Sequence, residues 1–140
     1  MRSCDPVEVS STTATRRVLV IDDHDVAREY MSRLLTQAGY TVHSQPSPIG
    51  ATRLILREAI PVVVIDVEMP ALRGDKLVQL FRQNPRFEGL GLVLVSSTDP
   101  RELEHYGKAS GADAVVPKTN LERALVAIVD KLFARARASA

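Results

Sequence analysis

The sequence predicts an α/β fold in which five parallel strands alternate with five helices. Three observations favour it. Unbroken runs of Val, Ile and Leu recur along the chain, amphipathic segments fill the intervals between them, and most of the runs end on polar residues. Such runs suit strands buried on both faces of a parallel sheet. Right-handed crossovers between parallel strands then cover both faces of an open sheet with helices.

Five segments have the character of strands, and the second is weaker because it alternates more. In chain order they are residues 18–21, 40–43, 62–65, 92–95 and 114–116. Pro117 follows the last segment, and proline lacks the N–H that a central strand would donate, so it favours an edge position. A fifth strand at the edge agrees with the doubly wound strand order 2-1-3-4-5.

The first two helices have recognisable boundaries. The first follows Asp25, which we interpret as its cap, and it carries apolar residues at helical spacing from Val26 onward until Gly39 ends it. Ser47 and Pro48 predict the start of the second helix, as a cap followed by a first-turn proline.

The other three helices are shorter or more clearly amphipathic. The third ends before Asn84, and capping boxes predict that the fourth starts at Asp99 and the fifth at Thr119. Gly107 makes the fourth the weakest, because glycine costs about 1 kcal/mol relative to alanine inside a helix. The fifth helix has an apolar stripe formed by Leu121, Leu125, Ile128, Val129 and Leu132.

Length and composition indicate one domain. The 140 residues include 18 basic and 17 acidic side chains, a net charge of +1, which disfavours a generic nucleic-acid or membrane-surface binder. The single Cys4 excludes an internal disulfide and a multi-cysteine zinc site. No segment approaches the roughly 18 apolar residues of a membrane span, so we expect a cytoplasmic protein. We expect a flexible tail at 1–15, a folded domain at 16–135, a C-terminal tail at 136–140 and no room for a separate output domain.

The polar residues that end the strands point to phosphoryl chemistry. Asp22 and Asp23 end the first strand, Asp66 the third and Ser96 the fourth, and Lys118 follows the fifth. Strands one and three are neighbours in the predicted order, so three carboxylates converge at the edge where open α/β sheets bind ligands. Mg²⁺ would relieve their repulsion, since it prefers oxygen ligands. Asp66 is then placed to attack phosphorus and form an acyl phosphate, stabilised by Lys118 and Ser96.

In this combination and spacing, the chain resembles a response-regulator receiver domain of two-component signalling. The resemblance covers about residues 16–135. Its motifs are the Asp22–Asp23 pair, Asp66 with Met69, Pro70 and Gly74, the Ser96–Ser97 pair, and Gly111-Ala112-Asp113 before Lys118. The resemblance implies a flavodoxin-like (βα)5 three-layer α/β/α sandwich of the stand-alone, chemotaxis-receiver kind. It implies no enzyme beyond Mg²⁺-dependent self-phosphorylation and self-dephosphorylation.

The resemblance also implies a role for each site residue. Asp66 is similar to the phospho-acceptor and, with Asp23, to the side-chain ligands of Mg²⁺. Asp22 resembles an acid in the outer shell of the ion, and Glu68 a ligand through its backbone carbonyl. The remaining roles are those of Ser96 as the switch hydroxyl, Lys118 as the phosphoryl-contacting lysine, and Met69, Pro70 and Gly74 as the residues that shape the loop.

Some positions depart from the family's usual pattern. Val115 stands where an aromatic residue often accompanies the switch hydroxyl, and Thr119 follows the lysine where a proline is common. Glu68 places an acid two residues after the acceptor, and we expect it to influence the dephosphorylation rate. His24 could face the site, but we interpret it as a solvent-facing loop residue.

The resemblance implies partners but leaves other functions open. A histidine kinase or phosphotransfer protein would supply the phosphoryl group, and a downstream protein would bind the face of the fourth helix, fifth strand and fifth helix. We expect a monomer or a weak phosphorylation-dependent homodimer, with no direct contact with nucleic acid or membrane. Val115 keeps open a pseudo-receiver that binds partners without phosphorylation. A metal-dependent phosphohydrolase is less favoured, because Asp23-His24-Asp25 lacks the threonine expected two residues later.

Overall fold

Alternating strands and helices run through the whole described part of the chain. The computed structural model describes residues 16–139, so the predicted tail at 1–15 lies outside the described residues. The elements are β1 Arg17–Ile21, α1 Asp25–Gln37, β2 Thr41–Gln45, α2 Ala51–Glu58, β3 Val62–Asp66, α3 Gly74–Gln83, β4 Gly91–Ser96, α4 Pro100–Ser110, β5 Ala114–Pro117 and α5 Leu121–Ser139. Two 3₁₀ turns, Pro85–Phe87 and Lys118–Asn120, precede β4 and α5, and α5 extends through residues 136–139 of the predicted C-terminal tail.

The strands form one parallel sheet in the order β2-β1-β3-β4-β5, which confirms the predicted topology. Ile21 of β1 lies opposite Ile65 of β3, and Asp66 lies opposite Val95 of β4. At the edge strand, Pro117 lies opposite Ser96. All the carboxyl ends therefore point to the same side of the sheet. No helix within residues 16–139 has both the length and the apolarity needed to cross a membrane.

Alternation along the central strands divides the aliphatic core into two layers. Leu19, Ile21, Val63 and Ile65 pack with apolar residues of α2, α3 and α4 on one face. On the other face, the intervening strand residues pack with α1 and α5; they include Val18, Val20, Val62 and Val64. Each fully buried aliphatic side chain stabilises the fold by about 1.5–3 kcal/mol, so the central strands are held from both sides.

The second helix begins later than predicted. Ser47 and Pro48 do not open it; α2 starts at Ala51, after Gly50 in a left-handed conformation with φ of 81°. The Ser47 hydroxyl instead accepts a bond from the backbone N–H of Ile49 at 3.3 Å, which makes a local turn. Ile49 lies before α2 and is 80% exposed, so it does not belong to the buried face of this helix.

Two details of α1 also differ from the prediction. Asp25 is the first helical residue and not the cap, and it pairs with Arg28 of the next turn at 2.6 Å. Val26 is 83% exposed, although its spacing matches the apolar stripe. The helix is buried through Met31 and Leu35 instead, one turn farther along.

The capping boxes are only partly realised. Asp99 accepts a bond from the backbone N–H of Arg101 at 2.8 Å, so it caps α4 as predicted. Glu102, however, accepts from the Thr98 hydroxyl at 2.8 Å and does not reach back to the cap. Thr119 lies within a 3₁₀ turn and makes no cap before α5, because this turn places it ahead of the first α-helical residue.

Candidate functional site

Three carboxylates meet where β1 and β3 end. Asp22 and Asp66 are fully buried, and Asp23 is half-buried beside them. The register between Ile21 and Ile65 sets Asp22 and Asp66 side by side. The structure therefore brings together the three acids that the sequence predicted to converge.

Lys118 lies among these acids. Its Nζ is 2.9 Å from Oδ2 of Asp22 and 3.2 Å from Oδ1 of Asp66. Burial by itself lowers the pKa of a lysine, but the bonds and charges of these two carboxylates outweigh it and raise the pKa of Lys118. The ammonium therefore stays charged, yet one cation faces three acids.

This excess of negative charge affects the pKa of Asp66. Burial, followed by the negative charge of Asp22, raises its pKa to about 7, against the opposing influence of Lys118. Glu68 adds a smaller increase to the same pKa. At neutral pH, another positive charge nearby would therefore stabilise the ionised form of the Asp66 carboxyl group.

The unsatisfied oxygen atoms of the site fit a divalent cation. Oδ2 of Asp22 and Oδ1 of Asp66 are buried and share the single ammonium of Lys118. Oδ2 of Asp66 and Oδ1 of Asp23 are also buried, and neither has a hydrogen-bond donor within the described chain. Buried carboxylates without donors are costly. A hard cation with oxygen ligands removes that cost, and Mg²⁺ is such an ion. The predicted metal residues thus have the burial and the chemistry that an ion of this kind requires.

His24 also faces the carboxylates. Its Nδ1 is 3.2 Å from Oδ1 of Asp22, 3.2 Å from Oδ1 of Asp23 and 3.6 Å from Oδ2 of Asp66. One ligand atom from each of these four residues lies within 4.8 Å of the others. The ring is 60% exposed, as a loop histidine should be, but its nitrogen points to the site. In the sequence, this orientation was indicated only by the position of His24 directly after the acidic pair.

The hydroxyl of Ser96 has a partner that the sequence did not suggest. Ser96 is buried, and its Oγ donates to the Glu68 carboxylate, whose oxygens are 2.8 and 2.7 Å away. The same Oγ accepts from the backbone N–H of Thr98 at 2.9 Å. The predicted roles of Glu68, through its backbone carbonyl and on dephosphorylation, stay predictions; its side chain has the additional contact with the predicted switch hydroxyl.

The loop after Asp66 packs tightly against the strand end. The backbone N–H of Gly74 donates to the carbonyl of Val67 at 2.9 Å. A Cβ at Gly74 would lie 2.1 Å from the carbonyl oxygen of Asp66, so only glycine fits there. Met69 is buried and Pro70 is exposed, which gives this loop one anchored and one solvent-facing residue.

Two contacts link this loop and β5 to α4. The guanidinium of Arg73 lies over the ring of Tyr106, 4.7 Å from its centroid. A Cβ at Gly107 would lie 2.4 Å from a methyl group of Val115, so the glycine in α4 lets β5 approach closely. Gly107, predicted as a weak point of the helix, is therefore a packing requirement.

Comparison with known proteins gives consistent matches. The family model described as "Response regulator receiver domain" matches residues 18–130. A gliding motility regulatory protein of Myxococcus xanthus is 26% identical to the chain, and the alignment covers 94% of this chain and 17% of that protein. Response regulator MprA of Mycobacterium ulcerans (strain Agy99) is 29% identical to the chain, and that alignment covers 86% of this chain and 51% of that protein. The chain thus spans about half or less of these curated relatives.

Among solved structures, one similar fold is that of a putative response regulator from Chloroflexus aurantiacus. It superposes with a TM-score of 0.78 at 26% identity, covering 86% of this chain and 98% of that one. The fold thus extends over nearly the whole of the matched chain.

Proposed function

The chain belongs to the response regulator receiver domain family, and from this premise we propose that it is a phospho-acceptor domain in a phosphorelay, with Asp66 as the acceptor. The observation that carries the proposal is the buried Asp66 carboxylate, which has Lys118 beside Oδ1 and no hydrogen-bond donor on Oδ2. A histidine kinase or a phosphotransfer protein would supply the phosphoryl group. The domain would act in the cytoplasm as a signalling module and not as an enzyme.

In the proposed reaction, a carboxylate oxygen of Asp66 attacks the phosphorus of a phosphohistidine. A P–O bond forms and the P–N bond breaks, and the departing imidazole nitrogen keeps the electron pair and takes up a proton. Asp23, Asp66 and the backbone carbonyl of Glu68 would hold Mg²⁺, with Asp22 in its outer shell. The ion supplies charge neutralisation for the phosphoryl oxygens.

Lys118 and Ser96 complete the proposed site. The Lys118 ammonium, already 3.2 Å from Asp66, is placed to neutralise a phosphoryl oxygen. Ser96 would have to release Glu68 before its hydroxyl could donate to the phosphoryl group, because one O–H donates to one acceptor at a time. Phosphorylation would therefore be coupled to movement of Glu68.

A small phosphodonor tests the proposal. After incubation with acetyl phosphate and Mg²⁺, we expect intact-mass spectrometry to detect one added phosphoryl group on the wild type and none on Asp66→Asn. Asp99→Asn is the matched control, since asparagine caps a helix as well as aspartate does, and it should be phosphorylated normally.

The same experiment separates the alternatives. A wild type that gains no phosphoryl group would support the pseudo-receiver, and continued release of phosphate with rapid turnover would support the phosphohydrolase. An adduct that persists in Asp66→Asn would place the acceptor elsewhere.

We further propose that a downstream protein binds the α4–β5–α5 face when Asp66 is phosphorylated. Support comes from the connections of Ser96 to the start of α4, through Thr98 and then Glu102. The face presents exposed charged side chains, namely Arg101, Glu104, Lys108, Glu122 and Arg123. The domain would be a monomer or a weak phosphorylation-dependent homodimer.

Amide hydrogen exchange tests this face. With and without a phosphoryl mimic, we expect protection to change across residues 97–125 and to stay constant in β2, at the edge of the sheet opposite β5. Unchanged protection across 97–125 would contradict the proposed output face.

A further inference from the structure

We propose that His24 is a protein ligand of the cation at this site, through Nδ1, and that it favours divalent transition ions such as Mn²⁺ over Mg²⁺. The proposal rests on the proposed function in one respect: the same carboxylates hold the cation. It adds a nitrogen ligand to a set otherwise made of oxygen atoms.

The position of His24 is set by the backbone. Its N–H donates to Oδ1 of Asp22 at 2.9 Å, and Asp22 is in turn fully buried against Lys118. Arg28 of α1 donates to the backbone carbonyl of Asp22 at 2.8 Å, which ties the start of the helix to the strand end. These bonds fix the backbone from which the imidazole extends, and in this conformation Nδ1 already lies 3.2 Å from Asp23 and 3.6 Å from Asp66, so no large rearrangement is needed to present it.

The oxygen atoms that face Nδ1 still require a cation. Oδ2 of Asp66 is buried without a hydrogen-bond donor and is 3.6 Å from Nδ1 of His24. Oδ1 of Asp23, also without a donor, is 3.2 Å from the same nitrogen. A neutral imidazole with its proton on Nε2 has a lone pair on Nδ1, so His24 can share a bound ion with both acids.

The size of the cluster fits one ion. Two ligand atoms on opposite sides of an ion with bonds of about 2.1 Å are about 4.2 Å apart. The candidate ligand atoms of Asp22, Asp23, His24 and Asp66 lie within 4.8 Å of one another. Small inward shifts of these side chains would therefore bring the atoms around a single ion.

Ligand chemistry gives the direction of selectivity. Carboxylates suit Mg²⁺ and Mn²⁺, whereas imidazole favours transition ions and adds little for Mg²⁺. Without the imidazole, the site keeps only the weaker discrimination that oxygen ligands provide. The competing explanation is that His24 is only a cationic neighbour of the acids, in which case its removal would affect both ions alike.

Two measurements distinguish these explanations. Calorimetric titration with Mn²⁺ and with Mg²⁺ gives the ratio of the two affinities, and pulsed EPR of bound Mn²⁺ detects coupling to a ligand nitrogen. In His24→Ala we expect the Mn²⁺/Mg²⁺ affinity ratio to fall by at least about tenfold. This is the lower end of the loss of metal affinity that follows removal of an outer-shell partner, and a direct ligand should contribute at least as much. The nitrogen coupling should be present in the wild type and absent from the variant. His105→Ala, which removes an exposed histidine of α4, is the matched control and should change neither result.

An unchanged affinity ratio in His24→Ala, or wild-type Mn²⁺ spectra without nitrogen coupling, would overturn the proposal. Phosphorylation of the wild type in Mg²⁺ is measured in parallel. If Asp66 is phosphorylated but no nitrogen coupling is found, the proposed function stands and the role of His24 falls. If the wild type binds neither ion, both proposals fail together.

Discussion

At the scale of single residues, charge balance around Asp66 decides what the site can do. Burial and the adjacent Asp22 raise the pKa of Asp66 to about 7, and Lys118 opposes them. A carboxylate in this position is poorly solvated, which favours any reaction or ligand that brings positive charge to it. The negative charge of Glu68 also matters, since it raises the free energy of placing another anion, such as an incoming phosphoryl group, beside Asp66.

Replacing Glu68 should therefore accelerate phosphorylation. Glu68→Gln keeps an oxygen that can accept from Ser96 but removes the charge beside the incoming phosphoryl group. Two unit charges about 4 Å apart in water interact by about 1 kcal/mol, so we expect roughly fivefold faster labelling by acetyl phosphate. A time course of intact mass measures this rate.

Glu104→Gln is the control for the loss of one acidic charge, because Glu104 is exposed on α4 and pairs with Lys108. Its labelling rate should match that of the wild type. A Glu68→Gln protein labelled no faster than this control would contradict the electrostatic role of Glu68.

At the scale of secondary-structure elements, the approach of α3 to the end of β3 fixes the position of the acceptor. Gly74 begins α3, and a Cβ there would come within 2.1 Å of the Asp66 carbonyl oxygen and 2.9 Å of an Ile65 methyl group. Both neighbours belong to a central strand that is buried on both faces, so they cannot move aside freely.

Gly74→Ala should therefore lower stability and disturb the site. We expect a loss of about 1–3 kcal/mol in the free energy of unfolding, the usual cost of overpacking, together with weaker Mg²⁺ binding. Urea denaturation and calorimetry measure the two effects.

Gly89→Ala is the matched control, because a Cβ at Gly89 meets nothing within 4 Å. Its stability should stay within about 0.5 kcal/mol of the wild type. Equal effects of the two substitutions would show that the contact at Gly74 is unimportant.

At the scale of the whole molecule, the site makes folding depend on pH and on divalent cations. The folded protein retains the Asp66 proton up to about pH 7, whereas the unfolded chain releases it near 3.8. Between these values the folded state binds more protons, so this group's contribution to stability declines as pH rises, by at most about 1.4 kcal/mol per pH unit.

Comparison with Asp66→Asn isolates this contribution, because every other titrating group is shared. Without divalent cations, we expect the variant to gain stability relative to the wild type from about pH 4 to pH 7, and the difference to level off above pH 7. Urea unfolding across this range measures it. Mg²⁺ should raise the wild-type melting temperature more at pH 8 than at pH 5, since the ion binds the ionised carboxylate.

A stability difference that stays constant from pH 4 to pH 8 would contradict the raised pKa of Asp66. A melting temperature that Mg²⁺ leaves unchanged at pH 8 would argue against cation binding at these acids.

Local patterns in the sequence were sufficient for the sheet and for the acids at its edge. The apolar runs predicted all five strands, and Pro117 predicted the edge position of β5. Asp22, Asp23 and Asp66 were found because each directly follows or ends a buried strand, and the ends of parallel strands share one side of a sheet. Helix starts were less predictable, since the left-handed Gly50 overrides the favourable Ser47 and Pro48.

The sequence by itself determined the alternating arrangement of parallel strands and helices, because this follows from hydrophobic periodicity and chain connectivity. The strand order, and with it the convergence of the acids, rested partly on the resemblance to receiver domains. Only the tertiary structure decided the partners of the side chains. Ser96 bonds to Glu68, which is 28 positions earlier in the chain, and Nδ1 of His24 turns back over Asp23 and Asp66. Such contacts depend on strand register, loop path and side-chain rotamer together, and no local pattern of residues encodes all three.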